Sequence, residues 1–175
     1  NAKKKNKFEY KTFGYDKSNK KIKKLNQCIN KAKLPFNSSD ILLKKKFRLS
    51  SLKNKINLIK NISEINKMDV IVVSVGFDFI GNKNSFKNIL NLINKISKYI
   101  KKGALLLIET TLPPGTFQKI LIPKINNIIK KRNLGLNDIF LSYSCERIMP
   151  GKNYYNSIIN NYRCYSGYNK SSKQK

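Results

Sequence analysis

The sequence predicts an α/β protein built on a doubly wound parallel sheet. Two apolar runs of strand length, Val70–Val75 (VIVVSV) and Ala104–Glu109 (ALLLIE), flank an apolar stripe of helical spacing, and a third run, Ile139–Tyr143 (IFLSY), follows a second such stripe. Strands buried on both faces read as continuous apolar runs rather than as alternations. Strands separated by helical crossovers imply parallel pairing with right-handed connections.

Taken in chain order, Phe8–Tyr15 (FEYKTFGY) reads as a strand ended by Asp16, and Ser18–Ile29 as a helix with Ile22, Leu25 and Ile29 on one side. Asn37-Ser38-Ser39-Asp40 offers capping side chains before a helix over Ile41–Lys46. Phe47–Ser50 is predicted as a short strand and Leu52–Ile65 as partly helical. Ser85 is predicted to cap a helix bearing Phe86, Ile89, Leu90, Ile93, Ile96 and Ile100, which Gly103 stops. Thr116–Lys131 carries Phe117, Leu121, Ile125 and Ile128 on one face, with a kink expected at Pro123.

The 175 residues, 40% of them hydrophobic, suffice for one core of ordinary size. No run of 18 apolar residues exists, so no membrane partner is expected. Asn1–Asn6 (NAKKKN) lacks both an initiator methionine and the apolar stretch of a secretory signal, and Ser171–Lys175 is polar with no closing element. Both ends therefore read as interior to a longer chain.

The net charge of +28 admits a basic nucleic-acid-binding module as an alternative. Lysine is nevertheless spread along the whole chain among asparagine and isoleucine. A dedicated binding face would concentrate charge, favour arginine and interleave exposed aromatics. No nucleic-acid partner is expected. Cys28, Cys145 and Cys164 are odd in number and irregularly spaced, and histidine is absent. That pattern predicts neither a disulfide framework nor a metal site, and it suits a reducing cytoplasm. It also removes Ser-His and Cys-His nucleophilic schemes from this segment.

Ligands of doubly wound sheets bind beyond the carboxyl ends of the strands. Three such ends carry unusual residues: Asp16, Thr110-Thr111, and Ser144-Cys145-Glu146-Arg147. They are expected to converge on one crevice. Asp16 could accept the hydroxyls of an adenine ribose, or serve only as an acid at a helix N-terminus. The threonines could hydrogen-bond a cofactor, or simply shape the turn that Pro113 and Pro114 fix. Glu146 could act as a general base on water, or form a surface ion pair with Arg147. Cys145 reads as a small packed thiol, because no base stands beside it.

These segments together resemble the UDP-glucose/GDP-mannose dehydrogenase family, in particular its branch acting on UDP-N-acetylhexosamines. IETTLPPGT (Ile108–Thr116) and ERIMPGKNYYNSIINNYRCYSG (Glu146–Gly167) are similar to family signatures in residue type, order and separation. The likeness is specific over Asp69–Asn169 and weaker back through FEYKTFGYD and the helix ending at Lys24–Asn26. Another Rossmann-type dehydrogenase, acting on hydroxy acids or phosphogluconate, fits the Glu-Arg…Pro-Gly-Lys segment less well.

The resemblance implies a Rossmann-like sheet truncated at its first strand. Residues 1–175 would be a partial N-terminal NAD-binding domain, with the central dimerisation and C-terminal nucleotide-sugar-binding domains lying outside them. It further implies NAD as cofactor, a UDP-sugar as substrate, a homodimeric full-length protein and oxidation of a C6 alcohol to a carboxylate. By position, Asp16 and Lys21 match the acid and base that hold the adenosine ribose, and Ser74 and Val75 lie where a strand end passes the cofactor. Thr110 and Thr111 fall beside the cofactor, with Thr111 near the nicotinamide and the hydrolytic water. Glu146 matches the glutamate that assists hydrolysis of a covalent thioester, and with Arg147 it would meet substrate. Two positions depart from the pattern. Gly76-Phe77-Asp78 stands where many members carry Pro-Thr-Pro, and Cys145 where proline is frequent. The family's nucleophilic cysteine and its glycine-rich loop have no counterpart in this sequence.

Overall fold

The computed structural model describes residues 10–76, 84–146, 148 and 151–175. In chain order the elements are β1 (Thr12–Gly14), α1 (Asn19–Asn30), α2 (Ile41–Leu52), β2 (Ile56–Leu58), β3 (Val70–Val73), α3 (Asn84–Tyr99), β4 (Leu105–Ile108), α4 (Ile122–Lys130), β5 (Phe140–Ser144), α5 (Tyr154–Asn160), β6 (Tyr165–Gly167) and α6 (Lys170–Gln174). They divide into two compact units. One takes in the described residues up to Asn61 together with α5, and the other runs from Ile62 to Ile148 and from Asn161 to Lys175.

In the first unit β1 and β2 pair in parallel, Thr12 opposite Ile56 and Gly14 opposite Leu58. A Cβ on Gly14 would press on Leu58 Cδ2 at 3.1 Å, so glycine lets the two strands close. Ser18 caps α1 by accepting from Lys21 N–H. Lys33 N–H bonds the Cys28 carbonyl at 2.9 Å past the left-handed Ala32, which ends the helix. Asp40 caps α2 through Leu43 N–H at 2.9 Å, and its second oxygen accepts from Tyr155 N–H at 2.6 Å, fixing α5 to this turn. Among the described residues of this unit, Ile59 is the sole buried apolar side chain.

The second unit holds the main core. β3, β4 and β5 run parallel in that order, with Ile71, Leu106 and Leu141 in one row and Val73, Ile108 and Tyr143 in the next. Ile71, Val73, Leu106, Ile108 and Leu141 are buried, as are Ile89, Ile93 and Ile96 of α3, Ile100 just past it, and Leu121, Ile125 and Ile129 from the segment of α4. On the other face Val70 and Val72 are half-exposed at β3. β6 joins β5 antiparallel, Tyr143 opposite Ser166, and α6 folds back on it. Leu141 N–H donates to Ser172 Oγ, and Ser142 Oγ donates to the Ser172 carbonyl. No helix among the described residues is long and apolar enough to cross a membrane.

The parallel sheet and its helices agree with the α/β prediction, and several local readings change. Phe47–Ser50 belongs to α2 rather than to a strand, because the Asp40 cap starts a helix that runs on to Leu52. Leu52–Ile65 is helical in part, at Leu52 and in a 3-10 helix from Ile62, but between them Asn54 turns left-handed (φ 51°) and Ile56–Leu58 form β2 beside β1. Ser85 falls inside the first turn of α3 rather than ahead of it. The predicted kink at Pro123 is a wide turn over Phe117–Leu121, closed by Ile122 N–H on the Phe117 carbonyl. Pro123 follows that wide turn within one continuous helical run, where it has no N–H to give to the turn before it. Phe8 and Glu9, the start of the first predicted strand, lie outside the described residues.

Candidate functional site

The carboxyl ends of β4 and β5 lie side by side. Ile108 is in register with Tyr143, so Thr111 and Glu146 each stand three residues beyond a paired position. Both belong to the second unit. Asp16, at the end of β1, belongs to the first unit. The structure therefore places two of the three expected groups on neighbouring strand ends.

The two threonines differ sharply. Thr110 is buried, and its hydroxyl lies 3.0 Å from the Val75 carbonyl, 3.3 Å from that of Val73, and 3.2 Å from Val75 N–H, from which it accepts. It thereby fastens the end of β4 to the end of β3. Thr111 is exposed, and its neighbour Leu112 donates its N–H to Tyr143 Oη at 3.4 Å. The Tyr143 ring rests against Phe117 with centroids 5.7 Å apart, so the start of the following helix is tied to β5. Gly115 has φ +79°, which the turn after the two prolines requires.

Ser74 and Val75 are exposed beyond the end of β3. Glu146 is half-buried, and one carboxylate oxygen accepts from Ile148 N–H at 2.8 Å, curling the chain after β5. Arg147, Phe77 and Asp78 lie outside the described residues. Cys145 is a half-buried free thiol. At Asp16 one oxygen accepts from Ser18 N–H at 2.8 Å, and the other lies 3.6 Å from Lys21 Nζ. That carboxylate is part-exposed, so it can still accept from a ligand.

Sequence reasoning missed one charged group. Glu109, the residue before Thr110, pairs with Arg163 at the foot of β6. The glutamate was readable as a strand-end acid, but its partner is 54 residues away and no local signal points to it. Ser144 Oγ also donates to the Cys164 carbonyl at 3.0 Å, so the Cys164–Gly167 segment is anchored beside the same strand end.

Comparison with known proteins bears on this arrangement. Residues 3–175 match the family described as UDP-glucose/GDP-mannose dehydrogenase family, NAD binding domain. The chain belongs to this family. A curated relative, UDP-N-acetyl-D-mannosamine dehydrogenase of Methanococcus aeolicus, is 31% identical over 169 residues, which is 94% of this chain and 35% of that protein. The enzyme of the same name from Methanococcus vannielii is 28% identical over 94% of this chain and 35% of its own length. The chain thus spans about 35% of the length of these relatives. Among solved structures, NDP-N-acetyl-D-galactosaminuronic acid dehydrogenase from Methanosarcina mazei superposes with a TM-score of 0.81 at 21% identity, covering 94% of this chain and 34% of that one. GDP-mannose dehydrogenase from Pseudomonas aeruginosa gives 0.76 at 17%, covering 94% and 37%. Both likenesses are of fold.

NAD is the cofactor of the matched domain. The residues present fit part of it. A part-exposed carboxylate at a strand's carboxyl end is the acceptor a ribose diol needs, and Asp16 provides one beside Lys21. No G-x-G-x-x-G occurs in the sequence, so these residues hold no counterpart of the turn that cradles a pyrophosphate.

Proposed function

We propose that this chain is the cofactor-binding portion of an NAD-dependent nucleotide-sugar 6-dehydrogenase. The complete protein would oxidise the C6 alcohol of a UDP-sugar, a UDP-N-acetylhexosamine or UDP-glucose, to the uronic acid in surface polysaccharide synthesis. It would work in the cytoplasm as a homodimer. The observation that carries this reading is Thr111 and Glu146 on neighbouring parallel strand ends in a chain of this family.

In this reading Asp16 accepts from the adenosine ribose hydroxyls while Lys21 keeps the carboxylate in place. Ser74 and Val75 pass the cofactor with their backbone, and Thr110 holds that backbone in position from beneath. The bound nicotinamide supplies the hydride acceptor for each of two oxidation steps. Thr111 offers its hydroxyl to the water that hydrolyses a thioester carried on a cysteine outside these residues, and Glu146 takes the proton from that water. Arg147 pairs with the substrate's charge.

The test is steady-state NAD+ reduction by the complete protein with UDP-N-acetylmannosamine. Asp16→Ala is expected to raise KM for NAD+ by about tenfold or more, with kcat changed less. An unchanged KM for NAD+ would remove Asp16 from the cofactor site. The 175 residues alone are expected to show no turnover; sustained activity from them would contradict the placement of the nucleophile elsewhere.

A further inference from the structure

The first unit contains a cavity that the dehydrogenase reading leaves unused. It lies between the connection following α1 and one face of α2, with a volume of about 950 Å³, near the upper end of small-molecule pockets. Lys33 stands on the connection, and Lys44, Lys45 and Arg48 stand on the helix. Ile41, Lys44, Lys45 and Arg48 follow the i, i+3, i+4, i+7 spacing, so they form a single stripe along one wall. No carboxylate lines the cavity, and none of these four cations is ion-paired among the described residues.

The nearest acid in sequence is Asp40, and it is directed elsewhere. It is buried, with one oxygen on Leu43 N–H and the other on Tyr155 N–H. The cavity also has an apolar side. Phe36 is 53% exposed and Ile41 77% exposed, both among the lining residues. Scattered surface lysines are solvated one by one and screened by salt. Here four cations share one concavity with an exposed aromatic ring. An arginine can grip phosphate oxygens in pairs, lysines add point charge, and an aromatic face accepts any nucleobase by stacking.

We propose that this cavity binds a nucleoside diphosphate, its phosphates among Lys33, Lys44, Lys45 and Arg48 and its base on Phe36. Asp16 does not line the cavity, so the site is separate from the ribose-binding position proposed above.

The experiment is calorimetric titration of the chain with CDP and with inorganic pyrophosphate at about 0.15 M salt, where diffuse surface attraction is screened. CDP shares its base with neither the proposed cofactor nor the proposed substrate. The double variant Lys44→Ala/Arg48→Ala, at exposed helical positions where alanine keeps the helix, is expected to weaken CDP by about tenfold or more. Phe36→Ala is expected to weaken CDP and leave pyrophosphate within about twofold. The charge-matched Lys130→Ala/Lys131→Ala and the variant Asp16→Ala should leave both ligands within about twofold. Four results would overturn the proposal: no CDP binding, equal losses in the two double variants, no selective effect of Phe36→Ala, or loss of CDP on Asp16→Ala. Equal losses would assign the binding to general positive charge, as for a polynucleotide.

Discussion

The hydroxyl of Thr110 lies 3.0 Å from the carbonyl of Val75, joining residues 35 positions apart at the ends of two neighbouring strands. It also accepts from Val75 N–H at 3.2 Å, so one side chain meets both polar groups of one backbone unit. This frees Thr111 to face outward while its neighbour turns in. Thr110→Val keeps the shape and removes the hydroxyl, leaving Val75 without those partners. The expected cost is about 1–2 kcal/mol in urea unfolding of the second unit, with Thr110→Ser restoring most of it. Equal stability of the valine variant would show the latch to be incidental.

The cap of α2 should respond to acid. Leu43 N–H, and after it Tyr155 N–H, hold the Asp40 carboxyl below its ordinary value. A depressed folded-state value means stability that is present above the unfolded value, near pH 4, and lost as pH falls through the depressed one. Amide exchange in α2 and α5 should therefore accelerate below about pH 4. Asp40→Asn, which keeps an acceptor without the charge, should flatten that dependence. A pH profile identical to that of the parent chain would separate Asp40 from the cap.

Gly167 admits α6. A Cβ there would fall on the backbone of Ser172 and Lys173, which cannot yield as a side-chain tip does. Gly167→Ala is expected to undock α6, with a loss of about 1–3 kcal/mol and rapid proteolysis after Gly167. Retained protease resistance at Lys170–Gln174 would count against this close approach.

Protection against exchange should differ between the units. Ile59 alone is buried among the described apolar residues of the first unit, whereas the second buries α3 and α4 against β3, β4 and β5. Core amides at Ile93, Leu106 and Leu141 should be the slowest, and those of α1 should exchange through local opening. Uniform protection across both units would contradict the division.

Much of the sheet was legible because its strands are continuous apolar runs, although the expected burial on both faces fails at β3, where Val70 and Val72 are exposed. Val70–Val73, Leu105–Ile108 and Phe140–Ser144 are apolar or β-branched runs, and α3 repeats its isoleucines at helical spacing. The Asp40 cap was legible from the capping side chains that precede α2, whereas Ser18, read as the first helical residue, is the cap of α1. β2 and β6 were not. Each is three residues long and is a strand only because a distant partner pairs with it, β1 for one and β5 for the other. Phe47 and Leu49 have side chains that also suit strands, yet they continue a helix that begins seven residues earlier at its cap. At the site, the sequence marked Thr110 and Thr111 alike. Only the end of β3, brought alongside by parallel pairing, distinguishes the buried hydroxyl from the exposed one. The Glu109–Arg163 pair was hidden in the same way.

The most direct measurement of the account is intact mass of the complete protein bearing Glu146→Gln, taken after mixing with NAD+ and UDP-N-acetylmannosamine. If Glu146 activates water for the hydrolytic half, a covalent sugar adduct builds up and steady-state turnover falls by about a hundredfold or more. Turnover equal to that of the parent protein, with no adduct, would contradict the role given to the ends of β4 and β5.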